Sequence, residues 1–335
     1  MNLSIVIPHY NDTQNLKKLL GRINNILGNT KFEIIIVDDN SSNFHKKEII
    51  SCLKNNKKIN YFSFKKNYGP ARARNIGVSK AKYGNILFLD SDVMVNKNTF
   101  KVFFKSINKY KVIVGLYNAD DKVKSLGQCY KSNFEFFFQY KDGKVRNINF
   151  FHAAIAGIKK KIFLKAKGFD SKISYKMGFE NEEFGLRLFR KYKIFLIPNL
   201  LVNHHRSSFY KILKDTFLRV SNWIIFNFKK KNEKKIFDSN VTTSQKMAFS
   251  CLNSFLTIFF LLSFFLTKIH IFIVLFTITL IIDLILFFKF YLFLIKRFNL
   301  KFPAFYICNM IYTTTVFLGS VLGIIKILFF SNKNI

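Results

Sequence analysis

The chain has 335 residues, half of them apolar and 17% aromatic, with 43 Phe; this excludes a disordered or low-complexity chain and leaves room for one large or two medium domains. Lys and Arg number 54 against 19 Asp and Glu, a net charge of +35, and the excess is uneven: residues 248–335 hold seven basic residues and one acid. The basic part before residue 248 suits anionic partners such as nucleotide phosphates, acidic headgroups or nucleic acid, and Lys, Asn, Ile and Phe running high together equally fits a genome-wide bias in composition.

Residues 1–228 read as an α/β domain. Leu3–Ile7 is a buried strand, too short for a signal core and stopped at once by Pro8. Asn11 or Asp12 caps a helix whose apolar face is Leu16, Leu19, Leu20, Ile23 and Leu27. Glu33–Val37 is a second strand, ending in Asp38-Asp39-Asn40-Ser41. Ile59–Phe64 is a third, followed by a Gly69-Pro70 turn and a helix through Val78. Ile86–Leu89 is a fourth, ending in Asp90-Ser91-Asp92, and Val112–Leu116 a fifth. Strands alternating with helical patterns predict a mostly parallel sheet covered by helices. Ligands of such sheets bind beyond the carboxyl ends of the strands, where Pro8 to Asn11, Asp38-Asp39 and Asp90-Ser91-Asp92 fall. Farther on, Glu180–Arg190 reads as a helix with acids in its first turn, and Ile194–Ile197 as a strand before Asn203-His204-His205-Arg206.

Residues 229–247 form a basic linker, and 248–330 a membrane region. Ala248–Leu266 is free of charge, Ile269–Phe288 contains only Asp283, and Phe305–Phe330 only Lys326; about 20 apolar residues span a bilayer as a helix. Two or three spans are therefore expected. Basic residues flank the first two spans on one side, and only Lys268 lies in the turn between them, so the α/β domain is expected in the cytoplasm at an inner membrane. Cys52, Cys129, Cys251 and Cys308 show no CxxC spacing and fit a reducing compartment.

Two carboxylates two residues apart at a strand end, Asp90 and Asp92, can share a divalent cation, and hard oxygen ligands suit Mg²⁺ or Mn²⁺. Asp-x-Asp alone is weak evidence. It gains weight after the apolar run Ile86–Leu89 and beside Asp38-Asp39.

Four segments, taken in order, resemble the motifs of glycosyltransferase family 2: Ser4-Ile-Val-Ile-Pro-His-Tyr-Asn11, Glu33-Ile-Ile-Ile-Val-Asp-Asp-Asn-Ser41, Asn67-Tyr-Gly-Pro-Ala-Arg-Ala-Arg-Asn-Ile-Gly77 and Leu87-Phe-Leu-Asp-Ser-Asp92. The resemblance covers roughly residues 1–210 and implies the GT-A fold, a Rossmann-like nucleotide-sugar domain. It implies that Pro8 and Tyr10 border the nucleotide base, that Asp39 accepts a hydrogen bond from a uracil-type ring nitrogen and that Asp38 supports the turn. Gly69 and the segment up to Asn75 close over the nucleotide, with Arg72 or Arg74 near base or phosphate. Asp90 binds ribose, sugar or metal, and Asp92 the metal. His204 or His205 completes the metal shell or meets the diphosphate, and Arg206 neutralises the leaving group. These residue types suit those tasks: a carboxylate only accepts, a guanidinium forks onto phosphate, and neutral imidazole ligates Mn²⁺.

Glu180-Asn181-Glu182-Glu183-Phe184 falls on the family's Glu-Asp-x-Glu/Asp motif, whose second residue is usually the general base. Here that residue is Asn181, which takes no proton. Glu180 comes first as a substitute, then Glu183, then Glu182: on a helix Glu183 lies about 300° and Glu182 about 200° round from Glu180. The family's processive synthases carry Q-x-x-R-W; the one Trp, Trp223, follows Asn222, so single-sugar transfer is expected. The resemblance thus implies a metal-dependent, inverting transferase taking a nucleotide-diphosphate sugar and a lipid-linked or surface-polysaccharide acceptor, with no nucleic-acid partner. Two alternatives are a polyprenyl-phosphate sugar synthase and a non-catalytic, polyanion-binding membrane scaffold.

Overall fold

The computed structural model describes residues 2–28, 30–53, 56–119, 125–140, 142–171, 178–205, 207–229 and 245–330. Strand β1 (Leu3–His9) is apolar on both faces because it is covered on both. Leu3, Ile5 and Ile7 join the core with Leu16, Leu19 and Ile23 of helix α1 (Thr13–Leu27), and Val6 joins the opposite core with Val78 of α3 (Pro70–Lys80). The α1 face read from the sequence is buried throughout. Asp12 holds the N-cap position, but its side chain makes no cap bond.

The sheet is mixed. β2 (Phe32–Asp38), β3 (Ile59–Ser63) and β4 (Asn85–Leu89) run parallel with β1 in the order β3-β2-β1-β4. Beyond β4 come β8 (Ile155–Lys159), antiparallel, and then β6 (Val112–Tyr117) and β9 (Ile194–His204), parallel to each other. Short β5 (Val93–Met94) and β7 (Arg146–Ile148) pair antiparallel with β9. The β6–β9 register shifts between Val114↔Leu196 and Leu116↔Leu201, so β9 carries extra residues there, among them Pro198. Proline cannot donate to a ladder and sits at such bulges. The bulge bends the strand and re-aims its last residues. After it, Tyr117 pairs with Val202, and His204 reaches Val93 of β5.

The chain forms two compact units, Met1–Asn118 with Tyr140–Arg206, and Ala119–Gln139 with Ser207–Ile335. The division falls earlier than the expected boundary at 228 and takes in an internal segment. Within the second unit, Tyr130 and Phe134 of α5 (Leu126–Tyr140) share a core with Phe290 of α11 (Phe288–Phe298) and Phe305 of α12 (Phe302–Phe330). Helix α8 (Phe209–Lys229) belongs there for a reason visible in the sequence. Gly319 and Gly323, four apart on α12, face it: a Cβ at Gly319 would lie 2.7 Å from the Phe217 carbonyl oxygen, and one at Gly323 2.8 Å from that of Ser221. A Gly-x-x-x-Gly face lets two backbones approach closely in apolar surroundings.

Among the described residues two helices are by themselves long and apolar enough to cross a membrane, at Met247–Thr267 within α9 (Gln245–Thr267) and at Phe302–Phe329 in α12. The expected second span is a bent pair of helices that are apolar enough to cross only when taken together. Helix α10 (His270–Leu286) has 17 residues, about 25 Å of helix against roughly 30 Å of hydrocarbon, and the chain then bends by 76° into α11. The acid on α10 is satisfied internally: Ser254 Oγ donates to Asp283 Oδ1 at 3.1 Å and Tyr291 OH to Oδ2 at 2.6 Å. The network continues as Asn309 Nδ2 donates to Tyr291 OH and Tyr130 OH to Asn309 Oδ1, each at 2.8 Å.

Candidate active site

The described site residues lie in the first unit, with Tyr10, Asp38, Asp39, Asp90, Asp92 and His204 at the carboxyl ends of β1, β2, β4 and β9. Pro8 is buried within β1, and Tyr10, just beyond it, is 52% exposed, a free aromatic face. The loops after β1 and β2 are bonded together: Asn11 N–H donates to Ser41 Oγ, and Ser42 N–H to Asn11 Oδ1, both at 2.9 Å. Asp38 is buried and braces its own turn, accepting from Ser41 N–H at 2.8 Å and Tyr61 OH at 2.5 Å. Asp39 accepts from Tyr68 N–H and Gly69 N–H, one on each oxygen, both at 2.7 Å. Burial raises its carboxyl above the ordinary range, against those two bonds. Gly69 sits at φ 85°, a left-handed conformation that a side chain would strain, and Pro70 begins α3 behind it.

The structure separates Arg72 from Arg74. Arg72 is exposed, with its guanidinium 3.9 Å from the Tyr68 ring centroid, and remains able to fork onto an anion. Arg74 is buried and bridges two carboxylates, donating to Asp90 Oδ1 at 2.7 Å and Glu180 Oε1 at 3.2 Å. Removing one partner of a buried ion pair costs about 3–5 kcal/mol, because a buried charge is left uncompensated. Arg74→Met is therefore expected to lower the melting temperature sharply, and Arg74→Lys to recover only part of it, since an ammonium cannot fork to both acids; thermal denaturation of the three proteins checks this.

Asp92 and His204 meet across the site. His204 Nε2 lies 3.1 Å from Asp92 Oδ2, and the His205 backbone N–H donates to the Asp92 carbonyl at 2.8 Å, with the His205 side chain exposed. Burial opposes the Asp92 charge, but the bond to His204 and its charge outweigh it and hold the carboxyl below the ordinary range. Asp92 Oδ1 is buried with no hydrogen-bond partner among the described residues. Among the described residues no three His, Cys, Asp or Glu side chains converge to hold a metal by themselves. An orphaned carboxylate oxygen beside an imidazole nonetheless fits a divalent cation of the Mn²⁺ or Mg²⁺ type, which Asp92 and His204 would hold. Sequence reasoning assigns Asp12 only to a helix cap. The structure turns it to this loop, where it accepts from Ser91 Oγ at 3.3 Å and from Asn15 Nδ2 at 2.8 Å. Arg206 lies outside the described residues.

The acids of α7 (Glu180–Phe189) divide by partner. Phe184 seats the helix among Phe151, Phe163 and Phe169; full burial of such a ring stabilises by about 1.5–3 kcal/mol. Glu180 turns to Arg74. Glu183 is held by both oxygens: Arg187 Nε donates to Oε1 at 2.7 Å and Nη2 to Oε2 at 3.0 Å. The same guanidinium donates to the Ala166 and Gly168 carbonyls, so Glu183 is part of a structural clamp. Glu182 is half-buried. The Asn181 Oδ1 is buried without a partner, while its backbone carbonyl accepts from Phe151 N–H at 3.4 Å.

Below Asp38, His9 is buried with neither ring nitrogen hydrogen-bonded. Burial, aided by His45 and opposed by Asp38, pushes its pKa down to about 4 from 6.5. The unfolded chain therefore binds this proton near pH 6.5, whereas the folded protein resists it until about pH 4. The stability is fully present above pH 6.5 and is lost as pH falls through that window, by up to about 3 kcal/mol. His9→Leu is expected to flatten this acid limb; melting curves of both proteins at pH 7 and 4.5 test it by the change in the gap between them.

A sheet in the order β3-β2-β1-β4 with carboxylates at its carboxyl ends is Rossmann-like. Residues 4–166 match the model of Glycosyl transferase family 2. An uncharacterized glycosyltransferase of Rickettsia felis is 34% identical over 138 residues, 41% of this chain and 22% of that protein. The poly(ribitol-phosphate) beta-N-acetylglucosaminyltransferase TarP of Staphylococcus aureus is 28% identical over 129 residues, 37% of this chain and 39% of that one. The chain thus matches well under half the length of either relative. The mannosyltransferase PcManGT from Pyrobaculum calidifontis, solved in complex with GDP-Man and Mn²⁺, shares the fold at a TM-score of 0.57 and 12% identity, over 98% of this chain and 87% of that chain.

Proposed function

We propose that this protein is a membrane-attached glycosyltransferase that moves one sugar from a nucleoside-diphosphate sugar to a hydroxyl of a lipid-linked or surface-polysaccharide acceptor, with inversion. The observation that carries this reading is the Asp92–His204 pair with its orphaned Oδ1, beside Asp90 braced by Arg74. A divalent cation bound there supplies charge stabilisation for the departing diphosphate. The chain's own residues do the rest: Tyr10 offers a stacking face for the base, Asp39 keeps lone pairs for a ring N–H, and Arg72 forks onto base or phosphate. Glu180 takes the proton of the acceptor hydroxyl. TarP, named for sugar transfer to poly(ribitol-phosphate), and the Mn²⁺-containing mannosyltransferase support a cell-envelope acceptor and a metal. The basic flanks of the apolar segments support a cytoplasmic position of the catalytic unit at an inner membrane.

A panel of nucleotide sugars, with Mn²⁺ or with excess chelator, tests this. One donor class is expected to release nucleoside diphosphate in Mn²⁺ and not in chelator, with the rate raised by lipid-linked acceptor. No turnover with any donor, together with salt-sensitive binding of any polyanion, would establish the scaffold reading instead.

A further inference from the structure

The ring of His204 lacks the support that a metal-binding imidazole ordinarily has. Such a histidine nearly always donates its second ring nitrogen to a carboxylate, carbonyl or water, which fixes the plane of the ring. Here Nε2 faces Asp92 at 3.1 Å, while Nδ1 is buried with no hydrogen-bond partner among the described residues. What does fix the plane is an aromatic face. The Tyr117 ring lies parallel to the His204 ring, with centroids 4.4 Å apart and 20° between planes.

The sheet makes this contact. Tyr117 ends β6 and pairs with Val202 on β9, and His204 is two residues further along the same face. Diagonal neighbours of this kind are within reach of aromatic side chains. The register exists only because β9 bulges around Pro198, between Leu196 and Leu201. Tyr117 meets a second ring as well. His152 meets it edge-on at 4.6 Å and 88°, and Phe150 stacks on His152 at 5.8 Å and 23°. A row of rings, Phe150, His152, Tyr117 and His204, thus ends at Asp92. Offset-stacked rings gain about 0.5–1.5 kcal/mol beyond burial, enough to select one orientation of a ring with a single polar contact.

We propose that Tyr117 is a positioning residue of the metal site: its ring replaces the missing Nδ1 hydrogen bond and holds His204 Nε2 toward the cation beside Asp92. This rests on the metal reading of Asp92 and His204. The hydroxyl has no part in it, since a stack needs only the flat face.

The test is binding of Mn²⁺ alone, read from the free-ion electron paramagnetic resonance signal, to the full-length protein in detergent micelles. Wild type, His204→Ala, Tyr117→Phe and Tyr117→Leu are compared, with Tyr117→Met in place of the leucine variant if that one does not fold. Tyr117→Phe is expected to bind within about twofold of wild type and Tyr117→Leu to bind about tenfold more weakly, at the lower end for loss of an outer-shell support. A purely structural role for Tyr117 does not separate phenylalanine from leucine in metal affinity. Weak binding by His204→Ala with native affinity in Tyr117→Leu, or in Tyr117→Met, overturns the positioning role and leaves the metal site standing. Native affinity in His204→Ala overturns the metal reading of His204, and the role of Tyr117 falls with it.

Discussion

Asp92→Asn is expected to abolish metal-dependent donor turnover, with a loss of about a thousandfold or more in kcat. Asparagine keeps the size of the side chain and an oxygen for His204, and the backbone bond from His205 N–H to the Asp92 carbonyl is untouched, so the β5–β9 edge keeps its geometry. What is lost is the negative charge that offsets a divalent cation. Metal stabilisation of developing charge supplies several kcal/mol, and each 1.36 kcal/mol is tenfold in rate. Melting temperature is expected to move little, which separates this variant from Arg74→Met, where a buried cation between Asp90 and Glu180 disappears. Steady-state release of nucleoside diphosphate across a Mn²⁺ titration measures the effect. Wild-type turnover unchanged in excess chelator would sink the metal role of Asp92 and leave Arg72 among the basic groups as the stabiliser of the diphosphate.

Much of this site is legible in the sequence, because its acids sit one or two residues beyond apolar runs, and a strand delivers the residues after it to the sheet edge. That logic finds Asp38, Asp39, Asp90 and Asp92 without any contact being known. It does not separate Arg72 from Arg74. Two positions apart on a helix is about 200°, so one of them must point inward, and only the packing of α3 says which. The same holds for His204 and His205, adjacent on a strand and therefore on opposite faces; the β9 bulge at Pro198 decides that His204 faces Asp92. Asp12 is hidden by its own plausibility as a helix cap. In the second unit the apolar runs are plain, yet the turn between Leu286 and Phe288 has no proline or glycine to announce it. The affiliation of α5 with the C-terminal helices depends on contacts more than 150 residues away, such as Tyr130 with Asn309, which no local pattern encodes.

The remaining large effect concerns the proton acceptor, and the structure sharpens the contrast between two glutamates on one helix. Asn181 stands where the family's base is expected and accepts no proton at neutral pH. Glu180 faces Arg74 and, through it, Asp90, so it belongs to the carboxylate cluster at the strand ends. Glu183 is spent on Arg187 through both oxygens, and Arg187 in turn ties down Gly168 and Ala166. A glutamate held on both oxygens by a guanidinium is a weaker base and is fixed toward its partner. Glu180→Gln keeps size and one acceptor for Arg74 while removing basicity. It is expected to lower kcat by about 10²–10⁴, the usual worth of a general base, and to alter donor KM little. Glu183→Gln is expected to keep kcat within a few-fold and to lower the melting temperature instead, because a half-buried bidentate pair becomes a single neutral contact. Parallel turnover and melting measurements on the two variants give the answer. Near-native kcat in Glu180→Gln with a hundredfold loss in folded Glu183→Gln reverses the assignment. Near-native kcat in both passes the role to Glu182 or to a base outside α7.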